Sequence, residues 1–87
     1  MAYNITFSPD GWADYLYWQT EDKKTLKRIN KLLQELQRDG AAPGLGKPEL
    51  LRYVKGMSRR IDDKNRLTYY VEGGNLIVIS CRGHYED

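Results

Sequence analysis

The stretch from residue 57 to residue 82 restricts the fold more than any other part of the chain. Apolar and polar residues alternate over 57–62, 65–72 and 75–82, and the interruptions read "DDKN" and "EGGN". A period of two is the mark of strands with one buried face, and Gly73-Gly74 suits a tight hairpin turn. Three strands joined in this way form an antiparallel meander, whose apolar face needs a second layer to cover it.

The first half of the chain supplies that layer. "AYNITF" reads as a short strand, after which Ser8-Pro9-Asp10 offers an N-cap, a first-turn proline and an early carboxylate for a helix running to about Thr20. Trp12, Tyr15, Leu16 and Gln19 share one face of this helix and Tyr17 and Trp18 begin another, so its aromatic residues are expected in the core. Asp22 can cap a second helix. There Leu26, Ile29, Leu33 and Leu36 recur at helical spacing, and Gly40 sits where a C-terminal glycine belongs. The expected architecture is α+β, in the order β-α-α-β-β-β, with two N-terminal helices packed on an antiparallel-rich twisted sheet in a single domain, 1–87.

Composition narrows the function classes. With 40% hydrophobic and 30% charged residues the chain is too mixed for a disordered tail. It has no apolar run near the roughly twenty residues that a membrane span needs, and no charged-then-apolar leader, so the cytoplasm is the expected compartment. Cys81 is the only cysteine and His84 the only histidine, which leaves no disulfide, no metal-ligand set and no expected cofactor; Cys81 reads as a small buried side chain. The net charge of +2 says little by itself, but its distribution says more. Lys24, Lys27, Arg28 and Lys31 form a basic stripe on the second helix that could follow a phosphate backbone. The competing reading is a solvated face in which Lys31 pairs with Glu35 one turn on. The connector "DGAAPGLGKPE" brings Lys47 and Glu49 to one place.

Strand parity places the remaining charges. Leu67, Tyr69 and Val71 mark the buried face, so Arg66, Thr68 and Tyr70 look the other way. Met57 and Ile61 are core members, which puts Ser58 and Arg60 on the face of Arg66 and leaves Arg59 on the core side, snorkelling at an edge. The last strand suits either orientation. If its odd residues face the helices, Ser80, Arg82 and His84 join Arg60 and Arg66, with Glu49 nearby. A carboxylate, a histidine and two guanidiniums are the parts needed to cleave RNA through its own 2′-hydroxyl.

The segments "GWADYLYWQTEDKKTLKRIN", "GKPELL", "SRRIDDKNRLTYYV" and "CRGHY" together resemble the YoeB toxins of bacterial toxin–antitoxin systems, within the RelE superfamily, over nearly the whole chain. The resemblance implies a RelE-like fold and a metal-independent endoribonuclease that enters the ribosomal A site and cuts mRNA there. It places the general base on Glu49, phosphate-stabilising arginines on Arg60 and Arg66, the general acid on His84 and a substrate-positioning tyrosine on Tyr85. Lys47, Ser58, Arg59 and Arg82 are expected to contact the substrate. It also implies a YefM-like antitoxin, the 70S ribosome with its mRNA, and a second copy of the toxin as partners, with no membrane. Gly56-Met57 and Gly83 depart from the family pattern, which often has aromatic or bulkier residues there. A catalytically silent RNA-binding or ribosome-binding module is the alternative. Against it stands the Glu49 and His84 pair, since binding alone needs neither acid nor base.

Overall fold

A computed structural model of the protein describes residues 3–39, 49, 50 and 56–83, with the backbone alone at 39, 49 and 50. The elements follow in the order β1 (Asn4–Phe7), α1 (Pro9–Glu21), α2 (Lys23–Asp39), β2 (Glu49–Leu50), β3 (Met57–Arg60), β4 (Arg66–Glu72) and β5 (Asn75–Ser80). They build one five-stranded sheet in the order β1-β5-β4-β3-β2, with β1 parallel to β5 and the other pairs antiparallel. The expected α+β fold is therefore present, with a two-residue strand, β2, added at the end of what read as a connector. Two residues are too few to show alternation.

The two helices form because each begins on a cap that the sequence supplies. The Ser8 hydroxyl accepts from the Gly11 amide at 3.0 Å, and Pro9 occupies the first turn, where its missing N–H costs nothing. Asp22 closes α1 and opens α2: its own N–H donates to the Trp18 carbonyl, while its carboxylate accepts from the amides of Lys24 and Thr25 and from the Thr25 hydroxyl at 2.7 Å. These hydrogen bonds, that of the Thr25 hydroxyl foremost, hold the Asp22 carboxyl below its ordinary pKa, and the Lys24 charge adds to them. The hairpin turns on this one residue. Gly40 lies outside the described residues.

The core lies between the helices and the sheet. From α2 come Ile29, Leu32, Leu33 and Leu36; from the strands come Leu67, Tyr69, Leu76 and Val78, joined by Trp18, Ile61 and Cys81. Full burial of each Leu or Ile is worth about 1.5–3 kcal/mol, so this layer carries the fold. The aromatic face of α1 departs from expectation. Trp12 and Leu16 are 48% and 42% exposed, and the buried residues of this helix are Gly11 and Trp18. Trp12 stacks on Tyr15 at the edge, with Phe7 tilted against both, rather than entering the core. The reason is the closeness of α1 to β5: a Cβ at Gly11 would lie 2.4 Å from the Val78 carbonyl oxygen, so only the glycine side of the helix meets the sheet.

A bulge sets which side of the sheet each β5 residue faces. Tyr69 pairs with Val78 and Thr68 with Ser80, which leaves Ile79 as the extra residue. The Ile79 carbonyl accepts the Ser8 hydroxyl at 2.9 Å, so the helix cap also secures the bulge. This decides the parity that the sequence left open for the last strand: the even residues Leu76 and Val78, not the odd ones, are buried under the helices. Ser80 nevertheless joins the Thr68 side, because the bulge resets the count.

Candidate active site

Arg60 and Arg66 are direct cross-strand partners at the open end of the β3–β4 ladder, on the sheet face away from the helices. The next row inward is polar across four strands: Glu49 pairs with Ser58, Ser58 with Thr68 and Thr68 with Ser80. Arg66 is fixed by this row. Its Nε donates to Ser58 Oγ at 2.8 Å and its Nη2 to the Ser58 carbonyl at 3.3 Å. Ser58 is 2% exposed and supports Arg66 from beneath. Arg60 is more open and forms an ion pair with the exposed Asp63. A surface pair of this kind is worth about 1 kcal/mol or less.

The turn between β3 and β4 holds Arg66 beside Gly83. Asp62 Oδ1 accepts from the amides of Lys64 and Asn65, each at 2.8 Å, and from the Asn65 side chain at 3.0 Å. Burial pushes the Asp62 carboxyl upward, but these donors outweigh it and its pKa is lowered. Asn65 Oδ1 then accepts from the Gly83 amide at 2.8 Å, and the Gly83 carbonyl accepts from the Arg66 amide at 3.0 Å. Residue 83 is thus tied beside Arg66. Gly83 has φ +74°, a left-handed conformation that favours glycine, which gives its departure from the family pattern a backbone reason in this chain. Asn65 was not among the expected site residues; its place in the "DDKN" turn marks a turn but not the bond to Gly83.

Two of the expected site residues lie away from Arg60 and Arg66. Arg82 sits over the Tyr17 ring of α1, 3.7 Å from the centroid, and so does not join Arg60 and Arg66. The residue before it explains this. Cys81 is buried against α1, where its amide donates to Asp14 at 3.1 Å and its carbonyl accepts from Trp18 Nε1 at 2.8 Å. Burial, with the Asp14 charge adding to it, pushes the Cys81 thiol up to about 12, as fits a buried structural cysteine. Arg59 is wholly buried and pairs with Glu35 of α2, its Nη1 2.6 Å from Oε1. It does not snorkel: its partner is Glu35, the carboxylate that the competing reading of the α2 stripe pairs with Lys31. Beside this pair burial pushes the Tyr69 hydroxyl upward in pKa, with the Arg59 charge opposing.

Lys47, His84, Tyr85 and the side chain of Glu49 lie outside the described residues. Among the described residues no three His, Cys, Asp or Glu side chains converge as a metal site would require, and no helix is long and apolar enough to cross a membrane.

Comparison with known proteins agrees with this geometry. Residues 7–85 match the family model of the YoeB-like toxin of bacterial type II toxin-antitoxin system. The toxin YoeB of Streptomyces coelicolor is 45% identical over 83 residues, covering 93% of this chain and 98% of that protein. The YoeB dimer from Staphylococcus aureus superposes with a TM-score of 0.88 at 46% identity, covering 98% of this chain and 100% of the other. The heterotetrameric YoeB-YefM complex from the same organism gives 0.85 at 45%, with the same coverage. Sequence, fold and family model agree over nearly the full length: the chain belongs to the YoeB-like toxins of bacterial type II toxin–antitoxin systems.

Proposed function

We propose that this toxin is a metal-independent endoribonuclease that cuts mRNA in the ribosomal A site through the substrate's own 2′-hydroxyl. Glu49 takes the 2′-hydroxyl proton, the 2′-oxygen attacks the adjacent phosphorus, and the bond from phosphorus to the 5′-oxygen breaks. His84 gives that oxygen its proton. Arg60 and Arg66 stabilise the added negative charge of the phosphorane, Lys47 assists at the phosphate, and Tyr85 positions the nucleotide. The products are a 2′,3′-cyclic phosphate and a 5′-hydroxyl.

The observation that carries this reading is the held guanidinium of Arg66. A cation fixed before substrate arrives needs no reorganisation as charge develops, which is where electrostatic catalysis gains most. Its two bonds to Ser58 and its position opposite Arg60 meet that requirement. The tie from Gly83 to Asn65 and Arg66 supports a role there for His84, the next residue. Glu49, whose backbone pairs with Ser58, starts the same polar row.

By analogy with the Staphylococcus aureus proteins, an antitoxin of the YefM kind and a second copy of the toxin are the proposed partners, in the cytoplasm. Mapping 5′ ends of message in translation reactions, with and without the protein, tests the function. New ends at A-site codons are expected. Intact message in a fully inhibited reaction would leave only a binding module.

A further inference from the structure

The buried pair of Arg59 and Glu35 has no part in the proposed chemistry, yet Arg59 sits on β3 between Ser58 and Arg60. Arg59 is wholly buried, its Nη1 lies 2.6 Å from Glu35 Oε1, and the carboxylate comes from the stretch of α2 that gives Leu32, Leu33 and Leu36 to the core. Stability alone is a poor reason for such a pair, because apolar residues of similar volume in its place often leave a fold as stable or more so. What the pair supplies is direction. A charge-assisted bond holds at one length and angle, whereas apolar side chains slide past one another. Strand β3 needs a hold of that kind: it is four residues long, and while β4 pairs along all of it, its other neighbour, β2, has two residues.

We infer that Arg59 and Glu35 are positioning residues, which fix β3 on α2 so that Ser58 aims the Arg66 guanidinium. Alternation is the link. With the Arg59 side chain tied beneath the sheet, the side chains before and after it, Ser58 and Arg60, are presented on the opposite face. Ser58 then accepts from Arg66 through its hydroxyl at 2.8 Å and its carbonyl at 3.3 Å, so a rotation of β3 about its own axis, or a slip along β4, would spoil both bonds. Wholly buried, Arg59 acts through Ser58 and not on the substrate itself. From the proposed function this inference takes only that Arg66 acts at the phosphate.

The full-length variant E35L/R59M keeps the volume and removes both charges. Its urea midpoint should equal or exceed the parent's. Single-turnover cleavage of message at saturating ribosomes should fall about tenfold, the loss expected for one hydrogen bond to a charged group, with ribosome affinity unchanged. A cycle with Ser58→Ala assigns the route: in an S58A background E35L/R59M should add little further loss, since the bond it disturbs is already gone. Exchange of the Arg66 Nε proton with water, read by nitrogen-15 NMR, follows the same bond without any cleavage and should be faster in E35L/R59M. An unchanged rate with unchanged exchange would overturn the inference, as would losses that simply add in the cycle. A rate that falls only in step with a lowered midpoint would make the pair merely structural. Should E35L/R59M not fold, R59K decides, because it keeps the buried charge but replaces the planar fork by a rotating ammonium. Slower cutting with faster exchange in R59K would uphold the positioning role, and parent values of both would refute it. If the parent leaves message uncut yet the exchange difference is present, the positioning stands and the proposed cleavage falls.

Discussion

Arg66 shows how one residue links the sheet to the chemistry. Its guanidinium is positioned by a serine two places along the neighbouring strand's pairing, so the charge is aimed before substrate binds. Arg66→Ala should slow single-turnover cleavage by roughly 10² to 10³-fold at saturating ribosomes, with a smaller effect on affinity. Ser58→Ala keeps the guanidinium but loses its anchor, and a loss of roughly tenfold is expected, in the range of one hydrogen bond to a charged group. Full recovery of either rate at saturation would mean that these residues only bind. The side on which Arg60 and Arg66 lie was legible in the sequence, because β3 and β4 keep strict alternation. Arg82 was not, because a bulge at Ile79 and the burial of Cys81 against α1 end the alternation just before it. Arg59 was half legible: a cation of core parity demands a carboxylate, yet strand spacing could not name Glu35 on a distant helix.

Elements meet here at backbone distance. Helix α1 lies so close to β5 that Gly11 faces the Val78 carbonyl with no room for a methyl group, and Ser8 binds the Ile79 carbonyl of the bulge. Gly11→Ala places its new carbon 2.4 Å from that oxygen, which is backbone and cannot swing away. The expected cost is about 1–3 kcal/mol, in the range of overpacked cores, and a denaturation midpoint compared with the parent's would show it. A midpoint unchanged from the parent would mean that the helix shifts freely over β5. Helix and strand types were legible from caps and periodicity. The sense of β5 was not, since Leu76, Ile77, Val78 and Ile79 are apolar on both sides, and only the tertiary approach of α1 decides which side is covered. The same approach left Trp12 and Leu16 outside, against the expectation drawn from their helical spacing.

At the scale of the whole molecule the layers divide the work. The core between helices and sheet stabilises the fold, the outer side of α2 presents Lys24, Lys27, Arg28 and Lys31, and the far face of the sheet collects Arg60, Arg66 and the polar row of Ser58, Thr68 and Ser80. Placing the arginines on a sheet, rather than on a loop, gives them the rigid support that electrostatic stabilisation of a transition state requires. That arrangement is proposed to act on a nucleophile the substrate itself carries. A message with a single 2′-deoxy nucleotide at the scissile position, presented in the A site of programmed 70S ribosomes, tests this most directly. The toxin should bind these ribosomes as it binds those with all-ribose message and leave the deoxy-substituted strand intact, while the all-ribose strand yields a downstream fragment with a 5′-hydroxyl. Efficient cutting of the deoxy-substituted message, or a 5′-phosphate on the downstream fragment, would contradict attack by the 2′-oxygen and require an external nucleophile.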